Sequence, residues 1–247
     1  LKEDGSVVTW GSSSKGGDSS GVSDSLSSGV THIYSNDNSF AVLKEDGSVV
    51  TWGSSSKGGD SSSVSESLSS GVIQIYSNSY AYAALKEDGS VVTWGSPNYG
   101  GDSSSVSDSL ASDVSKIYPS ERDFAALKKD GSVVTWGSPY YGGDSSSVSE
   151  SLSSGVKEIY SDGQNFAALK YDGSIVTWGS SESWYVDSSG VSDSLSSGVT
   201  QIYSDGSSFA ALKEDGSVVT WGYSWNGGDS SGVSDSLSSG VTQIYSN

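Results

Sequence analysis

One string recurs six times along this chain: Asp-Gly-Ser-(Val/Ile)-Val-Thr-Trp-Gly, with its tryptophan at Trp10, Trp52, Trp94, Trp136, Trp178 and Trp221. Successive tryptophans stand 42 residues apart four times and 43 apart the fifth, the extra residue falling between Gly179 and Asp187. A repeat of this length is one supersecondary unit that has to bury its apolar surface against its neighbours. Residues 1–247 therefore read as a single repeat domain without linkers, its units beginning near Leu1, Leu43, Leu85, Leu127, Leu169 and Leu212.

Within a unit, Val72-Ile73-Gln74-Ile75-Tyr76 has the two-residue period of a strand. Tyr82-Ala83-Ala84-Leu85-Lys86 is a second run, and Val91-Val92-Thr93-Trp94 is a β-branched and aromatic third. Asp88-Gly89 between the last two is a hairpin signal, because such turns need a residue at positive φ. The serine-rich remainder spaces Ser63 and Glu66 as a capping box, sets Val64 and Leu68 on one helical face and ends at Gly71, which predicts a helix of one or two turns. An acid recurs at the Glu66 position and a leucine at the Leu68 position in all six units, read as a helix-start charge and a plug onto the blade.

Units of about 40 residues with three or four antiparallel strands stack radially. The expected fold is thus all-β, a β-propeller of six blades with a short helical turn in each serine-rich segment. A linear β-solenoid is the competing geometry, but its coils are shorter and parallel, whereas the Asp-Gly turn calls for an antiparallel hairpin. Residues 240–247 supply a first strand and 1–11 the hairpin that follows one, so one blade would be shared between the two ends. It would lack about six residues of its middle strand, the counterpart of 37–42, unless the chain continues.

Charge and composition narrow the roles. Twelve basic against 30 acidic residues give a net charge of −18, which repels phosphate backbones and anionic lipid. Nucleic acid and membrane are poor partners, and no stretch approaches the roughly 20 apolar residues of a membrane span. No cysteine is present, so disulfides, thiolate metal sites and cysteine nucleophiles are excluded.

The order V-x-x-I-Y-S, then F-A-A-L-K-x-D-G-S-V-V-T-W-G, then a Gly-Gly loop resembles the repeat of the regulator-of-chromosome-condensation family of propellers. It is also similar to the family's bacterial β-lactamase-inhibitor relatives and to bacterial, notably cyanobacterial, reading frames. The resemblance covers the whole chain and implies the fold. The family often places His where Phe40, Tyr82, Phe124, Phe166 and Phe209 stand, and its chromatin-associated members carry basic surface that is absent here. Exchange-factor activity on a small GTPase is therefore not carried over. Closed rings of the family often have seven blades, which leaves the number of blades open.

No catalytic constellation emerges. The single histidine, His32, falls in a column otherwise filled by Gln74, Lys116, Glu158, Gln201 and Gln243, a pattern for a solvent-facing position rather than a general base. Paired acids such as Asp18 with Asp24 or Asp102 with Asp108 are copied in every unit, whereas a catalytic pair needs unlike surroundings. No cofactor is expected. Calcium is the one ion whose chemistry the acids match, and neither the EF-hand nor the Gly-Gly-x-Gly-x-Asp pattern occurs. Gly16-Gly17-Asp18 and its copies read as turns, since the aspartate would repel phosphate.

The informative contrast lies between the two rims. The Asp-Gly turns hardly vary. The loops after Trp-Gly do, and these should share a rim with the loops between first and second strands: Lys15 and Lys57 give way to Tyr99 and Tyr141, Tyr140 appears, and Trp184, Tyr185, Tyr223 and Trp225 follow. Tyrosine and tryptophan outside repeated core positions suit interface anchors. The sequence thus points to a non-catalytic scaffold that binds a protein, or a glycan, through Tyr99, Tyr140, Tyr141, Trp184, Tyr185, Tyr223 and Trp225. The alternative is a structural segment of an extracellular or virion-surface assembly, with serines open to O-linked sugar; an extracellular or surface location suits either.

Overall fold

The computed structural model describes residues 1–180 and 188–245. The described residues are all-β, with five blades in succession, each a sheet of three antiparallel strands in sequence order. They are β1 (Val30–Ser35), β2 (Ser39–Lys44) and β3 (Val49–Gly53); β4 (Val72–Ser77), β5 (Ala81–Lys86) and β6 (Val91–Gly95); β7 (Val114–Pro119), β8 (Asp123–Lys128) and β9 (Val133–Gly137). The last two are β10 (Val156–Ser161), β11 (Asn165–Lys170) and β12 (Ile175–Gly179); then β13 (Val199–Ser204), β14 (Ser208–Lys213) and β15 (Val218–Gly222).

The blade expected to be shared between the two ends has no sheet among the described residues. Residues 7–10 and 241–245, the counterparts of a third and a first strand, form no sheet, and among the described residues no backbone hydrogen bond joins 1–11 to 240–245. A third strand needs its middle strand to pair with, and here only Leu1-Lys2 stand for that strand.

The middle strand explains why the sheets adhere. Its residues alternate between two neighbouring sheets: Tyr82 and Ala84 of β5 pack with Ala41 and Leu43 of β2, while Ala81, Ala83 and Leu85 pack with Ile117, Phe124 and Trp136 of the next sheet. Every core therefore belongs to two units. Alanines on this strand let successive sheets approach closely on both faces, and all but Ala210 are fully buried.

Each core is pinned by a tryptophan. Trp52, Trp94, Trp136 and Trp178 donate their indole N–H to the carbonyls of Gly16, Gly58, Gly100 and Gly142, at 2.9 to 3.2 Å and always 36 residues back, across the unit boundary. The same indoles stack on Phe40, Tyr82, Phe124 and Phe166 of their own sheets, with centroids 5.2 to 5.3 Å apart. Trp10, which has neither partner, is 83% exposed. Tyr82 adds a further tie: its hydroxyl donates to the Ser39 carbonyl of the preceding sheet at 2.8 Å, and burial pushes the phenol up to about 12.

The serine-rich segment differs from its expected form. It holds a three-residue 3₁₀ turn, Ser62–Val64, with no side-chain cap at its start. Ser63 and Glu66 do not form a reciprocal box. Asp60 does the local work instead, accepting the Ser62 N–H at 2.9 Å, and the Glu66 carbonyl accepts the Ser69 hydroxyl at 2.7 Å. So short a segment cannot offset helix nucleation, and side-chain-to-backbone bonds take over. Leu68 is buried as expected, and its carbonyl accepts the Val49 N–H on the outer edge of the sheet at 2.9 Å. Thr51 on that strand bonds Gly59 O and Ser61 Oγ, so the chain's own segment covers an edge that would otherwise invite pairing.

The Asp-Gly turns also face the next unit. Gly89 has φ +79°, donates to Lys86 O at 2.9 Å and accepts the Val114 N–H at 3.0 Å. A Cβ on it would stand 2.8 Å from the Asp113 nitrogen. Gly89→Ala is therefore expected to lower the unfolding free energy by roughly 1–3 kcal/mol, through positive φ and this clash together. Urea denaturation of the variant beside the parent chain measures it.

Candidate functional site

The rim is built from two loops per blade, and hydrogen bonds hold them together. The Ser54, Ser96 and Tyr223 N–H groups, just after their Trp-Gly pairs, donate to the carbonyls of Asn38, Tyr80 and Ser207 in the loop between first and second strands. Side chains close a second tie: Asn36 Nδ2 donates to Lys57 O and Asn78 Nδ2 to Tyr99 O, both at 2.8 Å, and Ser208 Oγ to Asn226 O at 2.8 Å. Neighbouring blades are linked too, by Ser79 N–H to Glu121 O at 3.1 Å and Glu121 N–H to Gly163 O at 2.7 Å. Both loops thus lie on one rim and are fixed along much of their length.

Blades three and four change the chemistry of the tie. Asp123 and Asn165, at the start of β8 and β11, use a side-chain oxygen to accept the Ser138 and Ser180 N–H groups, at 2.7 and 2.9 Å. Asp123 also accepts from Gly142 N–H at 3.0 Å and from Ser120 Oγ at 3.1 Å. It is fully buried, and desolvation pushes its carboxyl up to about 6 against the pull of these hydrogen bonds. Asp162, buried beneath the next loop and bonded to Asn165, is raised by the same cause.

Over this frame lies a row of alternating charge and ring. Lys57 Nζ sits 3.4 Å from the Tyr80 centroid, and Tyr80 meets Tyr99 at 4.4 Å. The Arg122 guanidinium lies 6.0 Å over Tyr99 and 4.8 Å over Tyr141, donates to the Tyr141 hydroxyl at 2.8 Å and pairs with Glu121 at 3.5 Å. Each cation over a ring contributes about 0.5–2 kcal/mol, so the row stiffens the rim across three blades. Sequence reasoning missed Lys57, Tyr80 and Arg122; the one available signal was that Arg122 is the only arginine in the chain.

The aromatic positions read from the sequence therefore separate. Tyr99 and Tyr141 are half-buried in the row, and Tyr223 is half-buried beside its own turn. Tyr140 and Trp225 stand at loop tips, 74% and 86% exposed. Trp184 and Tyr185 lie outside the described residues. His32 is exposed, with only Thr31 Oγ1 (3.1 Å from its Nδ1) and the Tyr34 ring at hand. Among the described residues no group of three or more His, Cys, Asp or Glu is placed to hold a metal ion, and no helix is long and apolar enough to cross a membrane.

No family model and no curated protein matches the chain. Solved structures do. It is similar to the CRINKLY WD40 ectodomain of the Arabidopsis thaliana receptor kinase ACR4, at 14% identity and TM-score 0.47, covering 80% of this chain and 68% of that one. Prp20p from Saccharomyces cerevisiae, described with its binding to Gsp1p and histones, matches at 18% identity and TM-score 0.48 over 78% of this chain and 57% of that one. Human WBSCR16 matches at 17% identity and TM-score 0.47 over 78% and 61%. The likeness is one of fold. The chain spans about three fifths of the length of the yeast and human proteins.

A pH dependence follows from Asp123. Its folded-state pKa stands above the unfolded value, so the stability gained by protonation is full below about 4 and is lost as pH rises through about 6. Asp123→Asn keeps the acceptor oxygen that Asn165 uses one blade later. The variant removes this pH dependence, so its stability relative to the parent is expected to rise by on the order of 1–3 kcal/mol between pH 5 and pH 7.5, on top of a constant cost for the Gly142 N–H that the amide no longer accepts. Urea titrations of both proteins at the two pH values test this.

Proposed function

We propose that the chain is a non-catalytic propeller scaffold that holds a protein partner on its loop rim. The exposure of Tyr140 and Trp225 carries the reading: two large rings stand in solvent at the tips of loops whose bases are tied by backbone and side-chain hydrogen bonds. Rings on a rigid base lose little freedom on binding, and such residues dominate interface energetics. Function on loops over a repeated framework is the usual division of labour in such scaffolds.

A protein suits the rim better than a sugar does. Carbohydrate stacking needs free ring faces, and those of Tyr80, Tyr99 and Tyr141 are taken up by one another and by Lys57 and Arg122. The free rings, Tyr140 and Trp225, belong to different blades, a spread that suits a broad contact. The surrounding net charge of −18 favours a basic partner face.

The double variant Tyr140→Ser/Trp225→Ser tests this with the immobilised protein and fractionated proteins of its native source. Loss of about 100-fold or more in affinity, with unfolding changed by less than about 1 kcal/mol, is the expected outcome. Equal binding by variant and parent would refute the rim as the site. Retention of a purified glycan in place of any protein would move the reading to carbohydrate.

A further inference from the structure

One loop of the rim departs from its sisters. Behind Trp10, Trp52, Trp94 and Trp221 the chain makes a 3₁₀ turn (Ser13–Lys15, Ser55–Lys57, Pro97–Tyr99 and Ser224–Asn226) that ends on a glycine at positive φ, from 85° to 102°. The loop behind Trp136 has no 3₁₀ turn, and Gly142 is not at positive φ. The hydrogen bonds differ accordingly. Gly16 and Gly58 N–H donate to Ser13 and Ser55 carbonyls at 3.3 Å, whereas Gly142 N–H goes to Asp123 Oδ2. Ser54 and Ser96 N–H reach backbone carbonyls, whereas Ser138 N–H goes to Asp123 Oδ1. One buried carboxylate thus takes the two amides that use backbone carbonyls in the loop of Ser54 and Gly58, and the sister loops share a 3₁₀ form without it, although Gly100 and Gly227 make no such cap bond.

We propose that Asp123 is a proton-operated latch on loop 138–142: ionised, its two oxygens hold the loop in its present form; protonated, it frees Gly142 N–H and lets the loop take the 3₁₀ turn of its sisters. The step is uptake of one proton from water by Oδ2. As Oδ2 takes the proton, the Ser120 hydroxyl, its present donor at 3.1 Å, turns its own hydrogen away to receive the new O–H, and Gly142 N–H then finds the Pro139 carbonyl as Gly58 finds that of Ser55. Such a switch needs two backbone forms of similar energy and a group that favours one of them, and both are present in this chain.

Burial raises Asp162 as well, but among the described residues Asp123 is the neighbouring carboxyl whose oxygens accept the amides of loop 138–142. Its own loop presents Glu121 and Arg122, paired with each other. The facing loop presents Tyr141, bonded to Arg122, and beyond it Asp144, which accepts the Ser146 N–H in solvent. The next blade brings Asp162, whose carboxylate is engaged by Gln164 and Asn165 of its own turn, and the uncharged Phe166 and Trp178. Burial raises Asp123 to about 6, which puts the change within a mild pH range. That Tyr140 rides on this loop gives the latch a bearing on partner binding; that consequence rests on the scaffold reading, and the latch itself does not.

The test needs no partner. In ¹⁵N-labelled protein, the Ser138 and Gly142 amide protons are followed by NMR from pH 5 to 8. The latch predicts that both move upfield on acidification with one shared midpoint near 6, that the movement is absent in Asp123→Asn, and that it persists in Glu121→Gln. Asp123→Ser, which restores the residue found at this position in blades one and five, should show Gly142 in the sister-loop form at every pH. Flat amide shifts in the parent chain, or a titration that survives in Asp123→Asn, would overturn the proposal whether or not Tyr140 binds anything.

Discussion

The indole N–H of one unit bonded to a glycine carbonyl of the unit before it is the contact on which the rest depends. It recurs at Trp52, Trp94, Trp136 and Trp178 with the same 36-residue reach. A hydrogen bond of this kind contributes about 1 kcal/mol net, and the ring stacked beside it about as much again. Its larger effect is geometric. The accepting glycine ends the rim loop of one blade, while the indole lies in the core of the next. Rim and core are thereby fixed to each other at this carbonyl, whichever form the rest of the loop takes.

This coupling explains why so polar a chain can fold. Only 33% of its residues are hydrophobic, and the serine-rich segments bring few of them. Each apolar residue is used with economy: the middle strand buries both its faces, one against each neighbouring sheet, and Leu26, Leu68, Leu110, Leu152 and Leu195 of the serine-rich segments plug the same seams. The acids sit where they cost least. Asp46, Asp88 and their copies accept a serine N–H and hydroxyl two residues on, which holds their carboxyls below the usual range. Lys86, Lys128, Lys170 and Lys213 each donate to a serine carbonyl 19 residues back, which commits these four to structure. The opposite rim keeps its cations over rings, and there the units diverge.

What could be read from the sequence follows from what repeats. The strands, the Asp-Gly hairpin, the buried leucine and the common rim of two loops were legible because period, turn chemistry and copy number all point the same way. The helix was not: Ser63 and Glu66 have the right spacing, but the segment is too short for helical capping, and Asp60 offered a local alternative that spacing alone does not rank. The row from Lys57 to Tyr141 was illegible for a different reason. Its members come from two loops on three blades, and no periodic signal marks a contact made once. Asp123 was hidden likewise. It stands in a column of Ser39, Ala81, Asn165 and Ser208, where a carboxylate looks like drift until its two amide donors are seen.

If every core belongs to two units, a single unit has no core of its own. The direct measurement is the unfolding of one isolated unit, residues 114–155, beside the whole chain, followed by near-ultraviolet circular dichroism and urea titration. The account predicts that the single unit shows no aromatic signal and no cooperative transition, while the whole chain shows both. A cooperative transition in the isolated unit, with its tryptophan in an ordered environment, would contradict it.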